Sequence, residues 1–186
     1  MISSVQLQQD DRLGLCEHSR MLTNKPDHLK HFDYTGFHRY FLTFCTNERQ
    51  QLFTRKEVVD LALLQISRAA TQCEFAVIAY CFMSDHVHLL VHAQSESADC
   101  KRFINFAKQY SGYYHSKQFG GRLWQRYGYE RTLRKDEDTL PIARYILDNP
   151  LRAKLVSDVR EYPFLGSLVC SLDDLLLSMQ QMSGSA

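Results

Sequence analysis

The chain has 186 residues, 45% of them hydrophobic and 23% charged, with 8 glycines and 4 prolines. That balance suits one domain with a real core and excludes collagen-like, low-complexity and largely disordered chains. No apolar run is long enough to span a membrane, the polar opening does not read as a secretory signal, and six cysteines without CxxC spacing fit reduced thiols, so a cytoplasmic protein is expected.

The net charge of +1 argues against a general polyanion binder, but the charge is unevenly spread. Between residues 101 and 135 stand Lys101, Arg102, Lys108, Lys117, Arg122, Arg126, Arg131, Arg134 and Lys135, against the single acid Glu130. Tyr110, Tyr113, Tyr114, Trp124 and Tyr127 are interleaved with them. Such a mixture can neutralise phosphates and stack bases. It is equally the pattern of an amphipathic helix with solvated lysines and buried rings.

Residues 1–30 show no sustained period and read as a flexible polar arm, followed by one domain over 31–166 and a tail over 167–186. Residues 37–46 are aromatic and β-branched, which predicts a strand. Thr54 is placed to cap the next helix with Glu57 as its capping-box partner, and Val59, Leu63, Ile66 and Ala70 form that helix's apolar stripe. Strands over 75–82 and 86–92, joined by Met83-Ser84-Asp85, predict an antiparallel hairpin. A second helix opens at Ser97 or Asp99, buries Phe103, Phe106, Ala107, Tyr110 and Tyr114, turns Lys101, Asn105 and Lys108 outward, and breaks at Gly120-Gly121. A fourth strand is expected within 123–133. A third helix then runs from near Asp138 to Asn149, with Pro141 in its first turn and Pro150 ending it. This order predicts an α+β, ferredoxin-like split βαβ fold: an antiparallel sheet with helices on one face and an appended helix that carries Tyr145.

Two features could carry chemistry. His86 and His88 are two apart on a strand and therefore present both imidazoles to one face, as a metal would require. His92 shares that face and could add a third ligand. Tyr145 and Asn149 are four apart on a helix, about 40° around it and one turn along. Each feature also has a purely structural reading: half-buried histidines bonded to carbonyls, and a helix tyrosine packed on the core.

Taken together, these features resemble the IS200-like single-tyrosine transposases of the HUH class, and most closely the REP-associated branch. The resemblance is carried by Tyr40-Phe41-Leu42-Thr43 with Arg49 and Leu52-Phe53, by Tyr80 to Val91 around Asp85-His86-Val87-His88, by Trp124-Gln125, by Tyr145 to Ala153, and by Tyr162-Pro163-Phe164. It implies that His86 and His88 are metal ligands, that Asn149 completes the coordination, and that Tyr145 is the nucleophile. It further implies Mg²⁺ or Mn²⁺ as cofactor, and single-stranded DNA with a hairpin or palindromic repeat as partner. The reaction it implies is cleavage and joining through a 5′-phosphotyrosine in a bacterial cytosol. Monomer and homodimer both occur among such proteins. Asp85 stands where related sequences vary and reads as permissive. Lys101, Arg102, Lys108, Arg122, Arg126 and Arg131 are the expected phosphate contacts, with Tyr110, Tyr114 and Trp124 as candidate stacking rings. The alternatives are a non-catalytic module that binds structured single-stranded nucleic acid on a ferredoxin-like sheet, and a small metal-dependent hydrolase ligated by His86, His88 and His92.

Overall fold

The computed structural model describes residues 33–133 and 139–183. The polar arm, Arg134, Lys135 and Asp138 lie outside the described residues. Strands β1 (Arg39–Cys45), β2 (Phe75–Met83), β3 (His86–Ala93), β4 (Tyr129–Thr132) and β5 (Leu165–Gly166) form one antiparallel sheet in the order β4-β1-β3-β2-β5. The first four strands have the expected ferredoxin-like order. No helix among the described residues is long and apolar enough to cross a membrane.

Alternation splits the sheet into two faces. Tyr40, Leu42, Phe44, Val87, Leu89 and Val91 pack against α1 (Lys56–Gln72) and α2 (Cys100–Phe119). Phe41, Leu90, Ala79 and Cys81 pack against α3 (Thr139–Leu147) and α5 (Leu172–Ser183), with the short α4 (Asn149–Arg152) between. A register shift between Val77 and Ala79 reverses the alternation of β2. The bulge turns Tyr80 and Phe82 to the α1/α2 face and leaves the small Ala79 and Cys81 facing α3.

Several local expectations are corrected. The Thr54–Glu57 capping box does not form, because Leu52–Thr54 is a 3₁₀ turn in which the Thr54 hydroxyl donates to Gln51 O. Arg55 takes the N-cap position without a side-chain cap. At α2, Asp99 is the cap and accepts from the Lys101 and Arg102 amides, while Gly120 ends the helix at φ 76°, a left-handed conformation that favours glycine. The buried stripe of α2 follows Phe103, Ala107, Ser111 and His115, steps of four, and leaves Tyr114 39% exposed. β4 is short because the chain first bridges Thr46 at Trp124 and then crosses at Gly128, where a Cβ would lie 2.8 Å from Thr43 O. Only glycine lets the backbone approach β1 that closely.

The tyrosine helix ends at Leu147, two residues earlier than expected. Asn149 opens α4 with Pro150 in that helix's first turn. Proline removes the amide that would bond Ile146 O. Asn149 Nδ2 replaces it, donating to Ile146 O at 3.1 Å and to Tyr145 O at 2.9 Å. The tail's apolar segment becomes α5, which buries Leu175, Leu176 and Met179 against this chain's own core.

Candidate functional site

His86 and His88 open the central strand β3 on the face covered by α3. Their Nε2 atoms are 3.1 Å apart. Their Nδ1 atoms have separate partners: Asp85 Oδ1 at 2.6 Å for His86, and Thr43 Oγ1 at 2.8 Å for His88. Thr43 stands directly opposite His88 in the β1–β3 register, so the partner of His88 is set by strand pairing. The carboxylate of Asp85 accepts the Nδ1–H of His86, which leaves the His86 Nε2 lone pair facing His88. Thr43 can accept from or donate to His88 Nδ1, and therefore serves either tautomer.

Asp85 is itself held. Arg49 Nε lies 2.8 Å from Asp85 Oδ2, and Arg49 Nη1 donates to Cys45 Sγ. Burial pushes the Asp85 carboxyl up, but the hydrogen bond from His86 and the positive charge of Arg49 outweigh it and hold it below the usual carboxylate range. Arg49 is aimed by a turn in which Glu48 and Arg49 have φ of 54° and 57°, a left-handed conformation uncommon outside glycine. That turn is tied to the hairpin: Thr46 N and Oγ1 donate to Asp85 O, and Phe53 N donates to Ser84 O. Asp85 is thus part of the site and not a permissive spacer. Its carboxylate next to His86 was visible in the sequence, whereas Thr43 and Arg49 come into place only through pairing and the turn.

The Tyr145 ring is half-buried beside the histidines, 6.5 Å from the His88 ring and edge-on to Phe41 at 6.2 Å. The Arg152 guanidinium lies over the Tyr145 ring at 4.4 Å. Arg152 received no role from the sequence; it is brought in by the α3–α4 kink. Asn149 lies one turn beyond Tyr145, its Nδ2 committed to the helix carbonyls and its Oδ1 left as the amide's acceptor.

His92 shares the face but sits four residues from His88, about 13 Å along the strand, too far to share an ion. Among the described residues no group of three or more His, Cys, Asp or Glu side chains could hold a metal. The Cys81 thiol beside His88 is pushed far up by burial and stays protonated. A cation here would therefore take two imidazoles and complete its shell with an oxygen from another residue type, water or substrate. The 3.1 Å between the Nε2 atoms suits two adjacent ligands at roughly 2.1 Å each, so the pair fits a small divalent ion.

The expected phosphate contacts do not form one track. Lys101 and Arg102 stand on the first turn of α2, with Lys101 Nζ over the Tyr34 ring at 4.2 Å and Arg102 over Phe106 at 5.2 Å. Lys108, Arg122 and Arg126 surround a cleft between α2 and the following loop. Lys101, Arg102 and Lys108 stand on α2, across the sheet from α3, while Arg122 and Arg126 lie in the loop that leaves α2, beside Gln125, whose amide donates to Cys45 O. Arg131 on β4 pairs with Phe41 and faces the histidine side. Lys108 is not a solvated phosphate ligand as expected: its ammonium donates to Gln125 O at 2.8 Å and Arg126 O at 3.1 Å. Trp124 is 4% exposed and Tyr110 half-buried, so the rings open to solvent are Tyr113, Tyr114 and Tyr127.

A five-stranded antiparallel sheet with a histidine pair on its central strand and a tyrosine helix across it is the arrangement expected of the IS200-like transposases. The family pattern described as Transposase IS200 like matches residues 35–149, and the chain belongs to that family. A Haemophilus influenzae (strain Rd) protein assigned as a REP-associated tyrosine transposase is 26% identical over 154 residues, which cover 71% of this chain and 81% of that protein. Among solved structures, that of a REP-associated tyrosine transposase bound to a REP hairpin superposes with a TM-score of 0.60 at 20% identity, covering 75% of this chain and 81% of the other.

Proposed function

We propose that the protein is a metal-dependent single-stranded DNA endonuclease and strand transferase, with Tyr145 as covalent nucleophile and His86, His88 and Asn149 as ligands of Mg²⁺ or Mn²⁺. The observation that carries this reading is the convergence of the two histidine Nε2 atoms, 3.1 Å apart, beside the Tyr145 ring. When bound, the cation supplies Lewis-acid activation and a template for the scissile phosphate. Asp85 and Thr43 hold the imidazoles with their coordinating nitrogens toward one point. α3 holds the Tyr145 phenol for in-line attack. The phenol oxygen bonds to phosphorus and loses its proton, the P–O3′ bond breaks, and the departing 3′ oxygen takes up a proton. The products are a 5′-phosphotyrosine and a free 3′-hydroxyl. Attack by a 3′-hydroxyl on the phosphotyrosine rejoins strands without ATP, because each P–O bond broken is replaced by another. Arg152, over the ring, sets a positive charge where a substrate phosphate beside Tyr145 would need one.

Family membership supports DNA as substrate, and the hairpin bound by the REP-associated relative supports a hairpin or palindromic repeat, acted on in the bacterial cytoplasm. The test uses labelled single-stranded hairpins from the DNA flanking the gene, with Mn²⁺ or Mg²⁺, resolved on a denaturing gel. A DNA–protein adduct that requires metal and disappears in Tyr145→Phe and His86→Ala is expected. Adduct persisting in Tyr145→Phe reassigns the nucleophile, and tight binding without adduct under both ions leaves the binding-module alternative.

A further inference from the structure

The α3–α4 kink leaves one arginine beside Tyr145 with its charge unspent. Arg49 is paired with Asp85 and Arg144 with Asp148, each at 2.8 Å. Arg152 makes no ion pair and no side-chain hydrogen bond: among the described residues the Tyr145 ring, 4.4 Å away, is its sole electrostatic partner. An acid four residues before a basic side chain on a helix is the favourable order for a pair, so Asp148 is the partner that spacing predicts. The structure withholds it. Asp148 Oδ2 is taken by Arg144 Nε, and Oδ1 is buried without a hydrogen-bond partner. The backbone under Arg152 is nonetheless fixed. Its amide donates to Asp148 O at 2.9 Å, the Leu155 amide donates to Pro150 O at 2.9 Å, and Pro150 is buried. Helical residues seven apart differ by only about 20° in direction, and long side chains lean toward the N-terminus, so Arg152 reaches back over Tyr145. The residue itself is exposed. Its five N–H donors therefore stand uncommitted at the edge of the ring. An exposed cation–π contact is weaker than a bidentate pair with phosphate, in which each hydrogen bond is about twice as strong as a neutral one. A phosphate arriving at Tyr145 outcompetes the ring for the guanidinium.

We propose that Arg152 is a catalytic residue that leaves the Tyr145 ring to grip the attacked phosphate, and holds the same phosphate in the phosphotyrosine until the strands rejoin. The inference rests on the reading of Tyr145 as nucleophile. An arginine stays charged throughout, so Arg152 neither gives nor takes a proton. In cleavage the phenol oxygen bonds to phosphorus and its proton goes to water, while the P–O3′ bond breaks and the 3′ oxygen takes up a proton. Rejoining reverses each of these changes. Because the guanidinium stays on the phosphate in both directions, it speeds both. Without DNA it covers the ring, so one side chain ties the release of the nucleophile to the arrival of its substrate.

The probe is a labelled hairpin with its single-stranded flank, taken from the DNA beside the gene, and the full chain is used throughout. In a Tyr145→Phe background, which keeps the ring and removes the nucleophile, affinity in Mn²⁺ is followed by fluorescence anisotropy over increasing KCl. Adding Arg152→Gln should make the slope of log affinity against log salt shallower by about 0.7, as for one single-strand phosphate contact, and Arg152→Lys should keep it. With Tyr145 intact, single-turnover adduct formation at saturating hairpin should fall about a hundred-fold in Arg152→Gln and in Arg152→Met. It should recover in part in Arg152→Lys, and in Arg152→Ala when guanidinium ion is added. Thermal melting of each variant reports its fold. A salt slope unchanged by Arg152→Gln overturns the proposal. So does a wild-type rate in Arg152→Met, which would show that the side chain serves only to cover the ring. Absence of a covalent adduct in the wild type overturns the reading of Tyr145, whereas the phosphate contact is judged by the salt slope alone.

Discussion

His86 and His88 can converge because their other ring nitrogens are engaged. Asp85 accepts from His86 and Thr43 serves His88, so neither ring can turn its Nε2 away without losing a hydrogen bond. Asp85→Ala should lower Mn²⁺ affinity by about ten- to a hundred-fold in a direct metal titration, with the circular dichroism spectrum retained. Unchanged affinity would show that Asp85 serves only to tie the hairpin turn to Arg49. Lys108 gives a second residue-scale prediction. Burial pushes its ammonium down to about 8, below the ordinary lysine value. Between about pH 8 and the ordinary value near 10.4, the unfolded chain therefore binds the proton more than the folded chain does. The charge's burial cost is fully present below about pH 8 and is relieved as pH rises. The wild-type Tm should gain on Lys108→Met between pH 8 and 10, and a constant difference between the two would refute the shift.

At the scale of elements, the kink between α3 and α4 links Tyr145 to its surroundings. Pro150 removes one backbone donor, Asn149 Nδ2 supplies a substitute, and the turn carries Arg152 over the Tyr145 ring. Asn149 closes the tyrosine helix through nitrogen, and the proposed function gives its oxygen to a cation. Asn149→Asp separates them, since a carboxylate keeps the oxygen but cannot donate. It should cost about 1–3 kcal/mol of stability in denaturant unfolding, from two carbonyls left without their donor. Mn²⁺ affinity should be equal or higher. Weaker metal binding at preserved stability would remove the cap and leave only the ligand role. Leu175, Leu176 and Met179 of α5 press on the same core as α3, so α5 helps to fix the tyrosine helix against the sheet.

For the whole molecule, the sheet is a partition. Histidines, Tyr145 and Arg131 belong to one side; α2 and its cleft belong to the other. Asp85 at the hairpin and Arg102 on the first turn of α2 have no shared partner among the described residues, and groups so separated should contribute independently. Asp85→Ala and Arg102→Gln, measured singly and together on hairpin affinity in the presence of Mn²⁺, should therefore add to within about 0.5 kcal/mol. A larger coupling would mean that the two sides are linked through the sheet.

The sequence by itself determined the strand–helix order, the histidine pair on one strand face and the tyrosine-asparagine pair on one helix. These depend on periods of two and about 3.6 residues, which are local properties of the backbone. Tertiary structure alone decided which groups meet. Thr43 reaches His88 through strand register, Arg49 reaches Asp85 through a left-handed turn, and a bulge in β2 decides which of its residues face the site. It also divided the basic, aromatic stretch over 101–133, burying Phe103 and Trp124, engaging Lys108 with carbonyls and leaving Tyr113 and Tyr127 outside. Composition counts charges and rings but carries no information on which side of a sheet they stand. That depends on the path of the chain after α2, where Gly120 and Gly128 permit turns and close approaches that no periodic pattern records.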